Sequence, residues 1–248
     1  MRNRKIDKEK LHRILFFFVL LSLICSIIYV IVCLIIAPSS PEEAADGQRL
    51  KSDYILMLLQ CSLGVIAMFL PSFISRTFKL KIPSLMLVFY IVFLYGAIYL
   101  GEVRSFYYHV PHWDTVLHTF SGAMLGALGF SIVNILNRHE KVPVKLSPMF
   151  VCMFAFCFAV TMGVFWEIYE FTGDGVLGLN MQKFMLENGD QLVGRAALID
   201  TMKDLIVDGL GAFIMCVIGY ISIVGRKGWI EDLMLKKADE ADHPAAVK

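Results

Sequence analysis

Residues 200–224 read DTMKDLIVDGLGAFIMCVIGYISIV. Asp200, Asp204 and Asp208 step by four, and sixteen residues without a charge follow them. A bilayer core needs about 20 apolar residues per helix, so 201–224 is a membrane span. Steps of four along a helix put all three carboxylates in one stripe. A charge in such a span costs roughly 2.5–3.5 kcal/mol at the helix centre and less near its ends. An acidic stripe there is therefore a functional-site hypothesis rather than decoration.

Five more stretches qualify as spans, at about 14–37, 54–74, 82–100, 115–136 and 148–171. The chain has 248 residues, of which 57% are hydrophobic, and ordinary soluble domains are about 45–50% apolar. Mean hydropathy is +0.66. The expected fold is an all-α, polytopic membrane helical bundle of about six transmembrane helices. It forms a single membrane domain over 1–235, followed by a polar cytoplasmic tail at 236–248. The first apolar run exceeds the 7–15 residues of a signal-peptide core and reads as a retained span. A net charge of +1 and the lack of a basic stripe argue against nucleic acid as a partner. Cys25, Cys33, Cys61, Cys152, Cys157 and Cys216 all lie in apolar stretches with no metal or redox spacing, so they read as small buried hydrophobes.

Orientation follows from Lys and Arg in the short loops. The basic N-terminus (Arg2, Arg4, Lys5, Lys8, Lys10, Arg13) shares a side with Arg76, Lys79 and Lys81. Arg138, Lys141 and Lys145 fall on that side too, as do Arg226, Lys227, Lys236 and Lys237. Both termini are then cytoplasmic. The opposite loops carry Glu42, Glu43 and Asp46, then Tyr107, Tyr108 and Trp113, then the long segment 172–199. Long connections of this kind are often functional. Gly173, Gly175, Gly178 and Gly194 suggest a non-helical path for it, folded over the site.

This topology brings three acidic helix ends to one depth. Asp114 and His118 open the fourth span, Glu167, Glu170 and Asp174 close the fifth, and Asp200, Asp204 and Asp208 open the sixth. Seven carboxylates and one imidazole cannot all be ionised in a low-dielectric setting without compensation. Arg195 and Lys203 are too few to neutralise them. Either some carboxyls hold protons or cations fill the gap. The candidate metal ligands are His118, Glu167, Glu170, Asp200, Asp204 and Asp208, with Glu170 or Asp114 as a catalytic general base. His109 and His112, just outside the span, could add ligands. Carboxylate with imidazole suits Zn, Mn or Fe, and carboxylate alone suits Mg or Ca. Inward-facing Glu, Asp and His on helices also build the di-metal sites of helical bundles. Gly122, Gly126 and Gly129, and Gly209, Gly211 and Gly219, give small-residue spacing that lets helices approach closely.

Three stretches carry a resemblance: Trp113-Asp114-Thr-Val-Leu-His118, Phe165-Trp166-Glu167-Ile-Tyr-Glu170 and Asp200-Thr-Met-Lys-Asp204-Leu-Ile-Val-Asp208-Gly-Leu-Gly211. Over about 105–224 the chain resembles the YjdF-like family of bacterial inner-membrane proteins. More distantly it is similar to VanZ-like proteins, whose final motif has Asn where this chain has Asp208. The resemblance implies about six spans and a bacterial plasma membrane, and it supplies no reaction. The VanZ-like likeness hints at cell-envelope chemistry.

Three functions compete. The first is a metal-dependent hydrolase or transferase acting on a lipid-linked or cell-envelope substrate, with the site facing the exterior. The second is a cation- or proton-coupled transporter, because Asp/Glu/His chains also relay ions. The third is a non-catalytic, metal-stabilised scaffold. Membrane lipids are partners in each. No G-x-S-x-G or H-E-x-x-H motif assigns a known hydrolase class.

Overall fold

The computed structural model describes residues 7–39, 48–137, 146–186 and 190–237. Arg2, Arg4, Lys5, Glu42, Glu43, Asp46, Arg138, Lys141, Lys145 and tail residues 238–248 lie outside the described residues.

The chain is an all-α bundle with six helices long and apolar enough to cross a membrane. Helix α1 (Lys8–Ile36) starts at Asp7, whose carboxylate accepts from the amides of Glu9 and Lys10. That satisfies two of the amides a helix start leaves open. Helix α2 (Lys51–Phe78) ends at Lys79 in the left-handed conformation and leads into the short strand β1 (Leu80–Lys81). Helix α3 (Ser84–Leu94) continues without a break as a π-helix over Tyr95–Val103. After it come the single turn α4 (Phe106–His109), α5 (Trp113–Asn137), α6 (Pro148–Leu177) and α7 (Arg195–Val224). Strand β2 (Lys236–Lys237) pairs antiparallel with β1, so the start of the segment read as a tail is tied to the bundle. Lys8 and Asp232, 2.7 Å apart, tie the start of α1 to the segment that follows α7.

Two departures from the expected spans matter. Helix α6 runs on through Gly173 and Gly175, which the sequence places in a non-helical loop. Glycine costs about 1 kcal/mol in a helix interior, and packing overrides that cost. At Gly173 a side chain would press on the Met181 sulfur, so the residue makes room for the returning loop. The chain turns only at Gly178, which has φ +64 and caps the helix. At the other end of the loop, α7 begins at Arg195 rather than at 201.

The helices form two packed groups. Val19, Leu23, Cys61, Met68, Ile91, Leu94 and Ile98 make the core of α1, α2 and α3. Phe130, Val133, Val151, Cys152, Ala155 and Cys216 make the core of α5, α6 and α7. Lipid tails are as apolar as leucine, so close van der Waals contact must hold membrane helices together. In the second group that contact is backbone to backbone. Gly211 of α7 rests on the carbonyl of Thr119, and Gly122 of α5 rests on the carbonyl of Asp208. A β-carbon at either place would overlap main chain.

Candidate metal centre

The glycine contacts position the acids. They lock α5 against α7 one turn from His118, so that His118 reaches between the aspartates of α7. Its Nδ1 lies 3.3 Å from Asp208 Oδ2. Ser121 donates its hydroxyl to the other oxygen of Asp208 at 2.9 Å. Asp208 is thus fixed on both sides and orients the imidazole. On the far side of the ring, Nε2 faces Asp114 Oδ1 at 3.7 Å and Asp204 Oδ2 at 3.9 Å. Those distances are too long for hydrogen bonds. Two atoms bound to one ion at about 2 Å in a tetrahedral site lie about 3.3 Å apart, so a small inward shift of the two carboxylates would bring them onto a shared ion with the imidazole. One ligand atom each from Asp114, His118 and Asp204 lie within 4.8 Å of one another. A histidine held by a carboxylate on one nitrogen and offering the other is the usual outer support of a metal ligand.

Helix α6 closes the third side. Gly163 faces Asp208, where a β-carbon would sit 2.8 Å from Oδ2, and Glu167 follows one turn later. Glu167 is 5% exposed, yet neither of its carboxylate oxygens has a hydrogen-bond partner. Gln182 and Thr201 stand beside it and bond each other at 2.8 Å. Asp204, 2% exposed, also leaves Oδ1 without a partner. Bare buried carboxylate oxygens are costly, and each specific case calls for an explanation. A cation would satisfy such oxygens, and Asp114, His118 and Asp204 form a donor set that could hold one.

The other predicted residues fall nearby or away. Glu170 is buried one turn beyond Glu167, with Glu167, His118, Lys183 and Asp114 as its electrostatic neighbours. Asp200 is half-buried one turn above Asp204. Asp174 is employed elsewhere: it accepts from the amides of Met181 at 2.7 Å and Gln182 at 3.0 Å and folds the loop back. His109 and His112 are exposed, and His109 Nδ1 meets the carbonyl of Ser105 at 3.0 Å.

Sequence reasoning missed an ion pair beside the cluster, buried at its carboxylate and half-buried at its ammonium. Glu102, 9% exposed in the π-helix, meets Lys183 Nζ at 3.4 Å. The ammonium also lies 5.0 Å from the Tyr107 ring centre and 5.3 Å from that of Tyr108. Burial alone would lower the lysine's pKa. The Glu102 carboxylate, with Tyr108 and Glu170, outweighs burial and raises it above the ordinary 10.5. Burial, and then the carboxylates of Glu102, Asp114, Glu170 and Asp204, likewise push the Tyr107 hydroxyl well up. Tyr107 therefore stays protonated at the junction of pair and cluster. Applying the buried-charge rule two residues past the expected end of the third span would have found Glu102. Lys183 sits in an irregular loop and gives no periodic signal.

These features define a six-span helical membrane protein with an acid–histidine cluster enclosed at one end of its bundle. Residues 12–224 match the family described as "Predicted membrane protein (DUF2238)", and the chain belongs to that family. A Thermotoga maritima protein described as uncharacterised is 33% identical over 140 residues, 56% of this chain and 62% of that protein. The chain thus matches less than two thirds of that relative's length. No solved structure matches the chain.

Proposed function

We propose that the protein is a metal-dependent membrane hydrolase or transferase acting on a lipid-linked or cell-envelope substrate. The observation that carries this reading is the convergence of Asp114, His118 and Asp204 beside buried carboxylate oxygens that lack partners. In this reading those three residues hold a divalent ion, Zn, Mn, Fe or Mg. Asp208 orients His118, and Glu167 and Asp200 complete the acidic shell. A bound ion would supply Lewis acidity toward a phosphoryl or acyl oxygen and lower the pKa of a water. Glu170, adjacent and buried, serves as the general base, while Tyr107 offers a hydroxyl donor to an oxyanion. Asp114 belongs with the ligands rather than acting as the base.

Basic loops favour cytoplasmic termini, a bacterial plasma membrane and a site facing the exterior. The YjdF-like and VanZ-like resemblance agrees with that placement and with a cell-envelope substrate. A carrier needs a polar path to the opposite side. Past Gly209 in α7, past Thr119 in α5, and before Glu167 in α6, the spans hold no Asp, Glu, His, Lys or Arg.

A turnover screen tests the proposal. Purified protein is incubated with polyprenyl phosphates and phospholipids, with and without chelator. We expect chelator-sensitive product release that falls about 10²–10⁴-fold in Glu170→Gln, the span of a general-base contribution. Metal binding without turnover on any of these substrates would instead give the site a scaffold role.

A further inference from the structure

A second feature lies outside the acid cluster. A cleft of about 450 Å³ runs between α1 and the end of the third span. Its wall on α1 extends from Phe18 past Ser22 and Cys25 to Tyr29. Tyr99 and Arg104 close it at one end. At 1.5 Å per residue, Phe18 to Tyr29 spans about 16 Å, roughly half the 30 Å thickness of a bilayer core. The cleft is therefore about as long as one leaflet is deep.

Its charge is confined to one end. Arg104 lines the mouth, and Arg49 joins it within electrostatic range of the Tyr29 hydroxyl. Arg49 is held by Ser105 Oγ and by the Met57 sulfur, which leaves guanidinium donors over. Among the described residues neither arginine has an ion-pair partner, and the nearby Glu102 is engaged by Lys183. Arg104 belongs to the connection leading into α5, so this mouth opens at the end of the bundle that holds Asp114 and His118.

Charge selects the occupant. The lining is apolar along α1 and basic at the mouth, which matches a lipid with a hydrocarbon tail and an anionic headgroup. We infer that this cleft binds one acyl chain of an anionic phospholipid, with the lipid phosphate held between Arg104 and Arg49. Arginine suits that role because its fork of donors matches phosphate oxygens. The site stands whether or not the acid cluster takes a metal.

Native mass spectrometry of the delipidated full chain tests it, with phosphatidylglycerol and phosphatidylcholine of identical tails as probes. We expect one phosphatidylglycerol adduct per chain, favoured over phosphatidylcholine by about tenfold or more, because the choline cation of the second lipid is repelled by the two arginines that take the phosphate of either. Arg104→Gln should erase the preference. Cys25→Trp, which fills the groove from an exposed position, should remove both adducts with the melting temperature unchanged. Equal binding of the two lipids by wild type, or a phosphatidylglycerol preference that survives Arg104→Gln, overturns the proposal. So does dimer loss on Cys25→Trp, which would give the groove to a second copy.

Discussion

Replacing Gly122 with alanine is expected to weaken both the bundle and the site. A β-carbon there would overlap the carbonyl oxygen of Asp208 and sit 2.9 Å from its carbonyl carbon and Cα. Main chain cannot turn aside as a side chain can, so α5 and α7 must separate. Forced overpacking of this kind costs about 1–3 kcal/mol. The separation also pulls His118 and Ser121 away from Asp204 and Asp208, and losing such outer support costs about 10–100-fold in metal affinity. Gly211→Ala should behave alike, because its β-carbon would overlap the Thr119 carbonyl. Gly209→Ala is the control: nothing lies within 4 Å of its added carbon. There alanine should be neutral or stabilise by up to about 1 kcal/mol through helix propensity. Thermal unfolding and metal titration of the three variants check this. If Gly122→Ala matches Gly209→Ala in both measurements, the helices do not touch as described.

Lys183→Met is expected to be the most damaging single change outside the cluster. It leaves the Glu102 carboxylate buried without its cation, and breaking a buried pair from one side costs about 3 kcal/mol or more. The loop from Gly178 to Gly194 should loosen with it. Limited proteolysis there should then accelerate. The double variant Glu102→Gln with Lys183→Met should recover much of the loss, because no unpaired charge remains. The pH dependence has a definite sign. A lysine whose folded pKa is raised contributes stability fully below its ordinary value of 10.5, and that stability fades only as pH climbs through the raised value. Wild type should therefore hold this contribution across neutral pH. Equal stability of wild type and Lys183→Met would mean the pair carries no structural weight.

Much of the bundle was legible because lipid imposes a simple rule. Each span needs a run of apolar residues, and six such runs stand out in this chain. The acidic stripes were legible because helix periodicity places Asp204 and Asp208, or Asp114 and His118, on one face. The backbone contacts at Gly122 and Gly211 were legible only as spacing. Which helix each glycine meets is a property of the assembled bundle.

The division of labour among the acids was not legible. Asp208 and Asp204 are alike in residue type and register, yet Ser121 and His118 Nδ1 occupy the first while the second keeps a bare oxygen. Side-chain direction decides that, and periodicity does not carry it. Asp174 continues the stripe of Glu170 by spacing, but the loop amides of Met181 and Gln182 claim it. Glu102 lay past the expected end of the third span because the wider turns of the π-helix carry the helix on through Val103. Such turns have no reliable sequence mark and often occur at functional sites.

The central claim is that Asp114, His118 and Asp204 jointly bind a divalent ion. Its most direct test is elemental analysis of chelator-stripped protein reloaded with Zn, Mn, Fe or Mg and freed of excess metal, beside His118→Ala and Asp204→Asn prepared identically. The account predicts at least one tightly held ion per chain in wild type and its loss in both variants, with the helical content of all three the same. Wild type that retains no ion, or variants that retain as much as wild type, would contradict it.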